Sequence, residues 1–196
     1  EFSGHSGEVG PMKHSLLWTV VVCLATIVLP ARTAGDSWRA TLEQKLPLLG
    51  HRNWIVIADS AYPLQTAPGI ETVFTDADQT EVVKTVLTAL EKARHVRPIV
   101  YTDAELRHVP EAHAKGIGAY RKKLDRLLAD QTVQSLPHER IISRLDEAGK
   151  TFHVLILKTR MTLPYTSVFL ELDCGYWSPE AEKALRDALN AAGAHE

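Results

Sequence analysis

Five apolar residues in a row, Trp54-Ile55-Val56-Ile57-Ala58, constrain this chain more than any other segment. An alternating pattern describes a strand with one wet face. An unbroken β-branched run describes a strand buried on both faces, of the kind found in the middle of an α/β sheet. Two ionisable residues bracket it: His51, in Leu49-Gly50-His51, and Asp59, directly after Ala58. A charge is costly inside such a strand but not at its end, and ligands of open α/β sheets collect at the carboxyl ends of strands. Asp59 therefore stands where a carboxylate meets a ligand. His51 is close enough in sequence to join it, and the functional reading expects the two to face one cavity. The plain alternative is that His51 caps the strand and Asp59 caps a turn.

Around this strand the pattern alternates. Helices are expected over residues 37–49, 78–94, 111–128, 137–148 and 178–192, and strands over 54–58, 70–75, 98–101, 152–157 and 168–172. The clearest helix carries Val82, Val83, Val86, Leu87 and Leu90 at helical spacing behind Asp78 as its cap. The last opens with Ser178-Pro179-Glu180, a cap, a first-turn proline and a first-turn acid. With 196 residues the chain suits one packed domain better than two. The expected fold is α/β, a three-layer α/β/α sandwich around a mostly parallel or mixed sheet, in a single domain over residues 37–196.

Residues 1–11 precede Met12 and are set aside as upstream sequence. Residues 12–34 have the layout of a secretory signal peptide: a short basic start, a nearly all-apolar stretch from Ser15 to Leu29, then small residues to Ala34. That apolar stretch is short for a membrane span. Export, to a periplasm or to the exterior, is the expected destination, with an uncleaved anchor as the alternative. Cys23 lies in this segment, so the mature chain keeps Cys174 alone, which excludes an internal disulfide and a thiolate metal cluster. Cys174 is expected to be a small buried side chain at a strand end. The net charge of -2 and the lack of a basic stripe give no sign of a nucleic-acid partner. There is no glycine-rich phosphate loop and no Gly-x-Ser-x-Gly elbow, so nucleotide and serine-hydrolase chemistry lack support.

Two further segments carry polar groups suited to chemistry. The loop from Lys158-Thr159-Arg160 to Pro164-Tyr165-Thr166-Ser167 joins two apolar strands and gathers an amine, a guanidinium, a phenol and hydroxyls. Such a loop suits a polyol, whose hydroxyls each need a donor or an acceptor; the alternative is a solvated connection. Pro137-His138-Glu139 puts an imidazole at a helix start, where the alternative is a surface histidine. His108 and His113 are five apart, off the i, i+4 face that a zinc pair uses.

Taken together, these segments resemble the ribose pyranase and fucose mutarotase family. In that family Leu-Gly-His precedes an apolar strand that ends in aspartate eight residues after the histidine, the spacing of His51 and Asp59 here. Pro63 is similar in place to the proline of the family's Asp-Ala-x-x-Pro, with Ser60 for the alanine, and Gly69-Ile70-Glu71 stands where Arg-Ile-Asp is common. Pro137-His138-Glu139 resembles a later His-Glu. Val154 to Thr159 and Pro164 to Val168 resemble the family's apolar strand and its Tyr-containing loop. The similarity spans roughly residues 40–175.

The resemblance implies a ribose-pyranase-like fold and an isomerase that interconverts ring forms or anomers of a free monosaccharide. It implies His51 as general acid/base, with Asp59, His138, Lys158, Tyr165 and Ser167 around the sugar. It implies no metal or cofactor, and a homo-oligomeric ring, commonly a decamer, with the site near a subunit boundary; no membrane partner is expected beyond the export signal. Opening a hemiacetal removes the anomeric hydroxyl proton and protonates the ring oxygen, work for an imidazole and positioned partners. The chain departs from the family pattern in its export signal, in extra length between His138 and Lys158, and at several site positions. Lys158 replaces an arginine and loses its planar fork; Arg160-Met161 stand where Gly-Glu is usual; Ser167 replaces an asparagine. These departures leave two other expectations open: an exported sugar-binding or scaffold module without turnover, and a domain whose polar loop is only a subunit contact.

Overall fold

The computed structural model describes residue 4 and residues 34–193. Most of the expected signal peptide, residues 12–33, lies outside the described residues. Among them the elements run α1 (Ala34–Lys45), β1 (Trp54–Ala58), β2 (Ile70–Phe74), α2 (Gln79–Lys92), β3 (Val96–Asp103), α3 (Ile117–Leu127), β4 (Val133–Leu136), α4 (His138–Ala148), β5 (Val154–Lys158), β6 (Val168–Cys174) and α5 (Pro179–Gly193).

The strands form one mixed sheet in the order β2-β5-β1-β6-β3-β4. β1 pairs in parallel with β5 and antiparallel with β6, β2 is parallel to β5, and β3 is antiparallel to β6 and parallel to β4. Five strands therefore point one way and β6 alone points back.

β1 is buried along its whole length, as its unbroken apolar run requires. Ile55 and Ile57 face a core shared with Trp38 and Leu42 of α1, Val82 and Val86 of α2, and Ile117 and Leu124 of α3. Trp54, Val56 and Ala58 face the other core, closed by Ile141 and Leu145 of α4. The two-residue period of the strand thus feeds both layers, and each fully buried Ile or Val contributes roughly 1.5–3 kcal/mol. This is the expected α/β/α sandwich. α5 lies on the surface, with Leu185 and Leu189 about half exposed.

Three local expectations change. β4 was not anticipated: it has four residues, Val133-Gln134-Ser135-Leu136, on an exposed sheet edge, and a strand that short and polar leaves no periodic signal. α3 begins at Ile117 rather than Glu111, because Gly116 adopts a left-handed φ of 96° and breaks any helix entering it. The Glu111 carboxylate instead accepts the Gly116 and Gly118 amides at 2.5 and 2.9 Å. Cys174, expected to be buried, is half-buried and free at the end of β6.

Candidate functional site

Strand direction decides which side chains can meet. The carboxyl ends of β1 to β5 and the start of β6 lie on one edge of the sheet; the start of β1 and the end of β6 lie on the other. Asp59, Asp103, His138 and Lys158 follow or close strands on the first edge, and Ser167 immediately precedes β6 there. His51 precedes β1 on the second.

The carboxyl edge gathers most of the sequence candidates. Ser167 Oγ donates to Asp59 Oδ2 at 3.2 Å, and the Ala61 amide holds Asp59 Oδ1 at 2.9 Å. His138 opens α4, and its Nδ1 lies 3.0 Å from Asp103 Oδ1, the side chain that closes β3. Its backbone amide donates to both carboxylate oxygens of Glu105 at 3.1 Å, so α4 is capped from outside itself. The Tyr165 ring packs edge-on against His138 with centroids 5.7 Å apart. Lys158 Nζ donates to the Tyr62 carbonyl at 2.7 Å. Beside Tyr165 lies an open hollow of about 480 Å³, lined by Glu105, His108, Val109, Pro110 and Pro164.

A buried amide holds this edge in shape. Gln79, the first residue of α2, is fully buried. Its Nε2 donates to the Ile57 carbonyl at 3.0 Å and the Thr166 carbonyl at 2.9 Å, and its Oε1 accepts from the Thr159 hydroxyl. The Tyr120 hydroxyl donates to the same Thr166 carbonyl at 2.6 Å. Two donors on one carbonyl fix the segment in which Tyr165 sits at a left-handed φ of 57°. A non-glycine residue there costs about 1 kcal/mol or more, a conformation that persists only when its surroundings enforce it.

The electrostatics of the edge are those of crowded, half-dry acids. Burial pushes the Asp103 carboxyl up to about 6 against the pull of His138, and Glu105 and Asp59 push it further the same way. Tyr62 is also buried, and burial first, then Asp146, Asp103 and Asp59, raise its phenol above the ordinary value of 10.0. Asp103 Oδ2 is buried with no hydrogen-bond partner among the described residues. Among those residues no three His, Cys, Asp or Glu side chains gather to hold a metal ion.

His51 does not join this group within one chain, and here the expectation of a cavity shared with Asp59 fails. Its Nδ1 lies 3.0 Å from Asp173 Oδ1, and Arg97 holds Oδ2 of the same carboxylate. Asp173 and Ser167, the contact of Asp59, are six residues apart along β6. At 3.3–3.4 Å per residue that is about 20 Å. The cause is β1 itself: five extended residues separate the histidine from the aspartate. The imidazole is exposed and borders a second hollow, of about 430 Å³, with Arg97, Asp173, Trp177 and Glu182. A further hollow, of about 950 Å³ between α1 and α2, is lined by residues of neither edge cluster.

Asp103, Glu105, Tyr62 and Gln79 were missed by the sequence reading. Asp103 had a usable signal, an acid closing an apolar strand as Asp59 does. Gln79 had none, since a polar residue in a first helical turn is ordinary.

No protein-family model and no curated protein matches the chain. Among solved structures, it is similar to RbsD of Bacillus subtilis complexed with D-ribose, at 22% identity and a TM-score of 0.48, over 68% of this chain and 92% of that one. It is similar also to a fucose mutarotase in complex with L-fucose from Streptococcus pneumoniae, at 18% identity and a TM-score of 0.45, over 68% and 91% of the two chains. FucU from Bifidobacterium longum matches at 19% identity and a TM-score of 0.47, over 68% and 92%.

Proposed function

We propose that the protein is a monosaccharide isomerase that interconverts ring forms or anomers of a free sugar by proton transfer. One observation carries this reading: the convergence of Asp59, His138, Lys158, Tyr165 and Ser167, from separate segments, on the carboxyl edge of one sheet. An acid paired with a hydroxyl, and an imidazole paired with a phenol, suit a ligand made of hydroxyls; of these groups only Tyr165 lines the neighbouring hollow.

His51 enters this reading from a second copy. Its edge of the sheet is the opposite one, so a head-to-tail contact sets His51 of one subunit against the Asp59 edge of the next. Repeated with a rotation that closes, such a heterologous contact builds a ring, the homo-oligomer that the family resemblance implies. Export follows the signal-peptide layout of residues 12–34. The other reading, an exported sugar-binding module without turnover, draws on Lys158, whose amine is already held by the Tyr62 carbonyl.

Two-dimensional exchange NMR with D-ribose and L-fucose separates the two. The isomerase reading expects catalytic amounts of protein to raise the exchange rate between sugar forms, and His51→Ala to abolish the increase. Line broadening of the sugar with an unchanged exchange rate would establish the module instead.

A further inference from the structure

We infer that Asp103 is a positioning residue that makes His138 a second proton-transfer group of the site, so that the sugar is worked from two imidazoles rather than one. The inference rests on the isomerase reading above.

The geometry begins with burial. The Asp103 side chain is wholly enclosed, whereas the His138 ring is 31% exposed, so the pair has a dry end and an open end. An ionised carboxylate only accepts hydrogen bonds, so the 3.0 Å contact assigns the proton to Nδ1 of the ring. Nε2 is then the basic nitrogen. Glu105 fixes the His138 backbone amide at the start of α4, and Tyr165 lies edge-on to the imidazole. A buried carboxylate behind an imidazole fixes its tautomer and stabilises the imidazolium that forms when it takes a proton.

The chemistry has a place for such a group. Ring opening moves two protons at two oxygens. In the proposed step His138 Nε2 takes the proton of the anomeric hydroxyl as the C1–O double bond forms. The bond from C1 to the ring oxygen breaks, and its electron pair stays on that oxygen, which takes a proton from the His51 imidazolium of the second subunit. Reclosure on either face of the carbonyl runs the transfers backwards and restores both rings. A single imidazole must serve both oxygens in turn; two placed on either side need not move.

The groups that face Asp103 set its titration. They are His138 from α4, Glu105 after β3, Asp59 after β1, Tyr62 in the following loop, and Tyr120 from α3. Burial leaves the carboxyl protonated below about 6, and a protonated carboxyl no longer holds the ring as a pure acceptor.

The test uses the full-length wild type, Asp103→Asn, Asp103→Glu and His138→Gln. The first measurement needs no turnover: nitrogen-15 shifts and long-range couplings of the His138 ring at neutral pH. The inference expects Nδ1–H in the wild type and a changed tautomer balance in Asp103→Asn. Nε2–H in the wild type would overturn it whatever the activity.

The second measurement is the exchange rate of D-ribose and L-fucose between about pH 5 and 8. Wild-type rates should climb through about pH 6. Asp103→Asn should lower kcat by ~10²-fold with little change in KM and lose that acid limb, and Asp103→Glu should restore part of it. An Asp103→Asn protein with wild-type kcat and pH profile would overturn the inference. So would a loss confined to KM. A wild type with the expected tautomer that accelerates neither sugar would sink the isomerase reading and leave the hold of Asp103 on His138 standing.

Discussion

His51 and Asp59 flank the same five-residue strand, and for that reason they lie on opposite edges of the sheet. The separation of about 20 Å is a property of extended backbone, and no side-chain rotamer closes it. Any chemistry that uses both groups at once therefore needs two copies of the chain, which turns a question about catalysis into one about assembly.

Tyr165 carries strain at φ 57° that glycine does not feel. Tyr165→Gly should therefore cost no stability from the backbone, and leave the thermal midpoint within a few degrees of wild type. It removes the ring that packs on His138, so sugar exchange should fall at least tenfold. A variant that is both as stable and as active would show that the strained conformation serves no site.

Gln79 joins β1, the Thr159 turn and the Thr166 loop through one buried amide. Gln79→Leu leaves these groups without their partner in a dry place, where each unmet group costs about 1–3 kcal/mol. Chemical denaturation should show a loss of about 2 kcal/mol or more. Chemical shifts of Tyr165 and Ser167 should move even in the fully folded protein. An unchanged midpoint would mean that water replaces the amide.

Stability should respond to pH through Asp103. Its carboxyl titrates near 6 in the folded chain instead of its ordinary 3.8, chiefly because it is buried. Between those values the folded protein keeps a proton that the unfolded chain has released. The stability from this group is present below the window and lost as the pH rises through it. Relative to Asp103→Asn, the wild-type thermal midpoint should fall between about pH 4 and about pH 6.5. A flat difference would indicate that His138 compensates the charge fully.

Much of the architecture was legible in the chain. The unbroken run at 54–58 located β1 to the residue and implied two covering layers, and both cores are built on its alternate faces. The cap at Asp78 marked the start of α2, where its side chain accepts from Thr80 and Glu81. What was lost was local and physical. β4 is too short and too wet for periodicity, and the left-handed Gly116 overrides the helical pattern before it.

Five of the candidate site residues lie together and His51 does not. Asp59, His138, Lys158, Tyr165 and Ser167 do share an edge. Proximity in sequence misplaced His51, because eight residues that include a strand carry the chain across the sheet rather than back to its start. Asp103 was readable by the rule that singled out Asp59. The role proposed for it depends on the enclosed contact with His138, which no spacing reveals.

The most direct measurement of the central claim mixes two inactive proteins. His51→Ala retains the Asp59 edge, and Asp59→Asn retains His51. If the site forms between copies, unfolding and refolding the two variants together should regain sugar-exchange activity. About a quarter of the wild-type level is expected at equal amounts, since that fraction of random head-to-tail contacts joins two intact edges. Activity that stays at the level of the separate variants, in a mixture that assembles normally, or full activity in His51→Ala alone, would contradict the account.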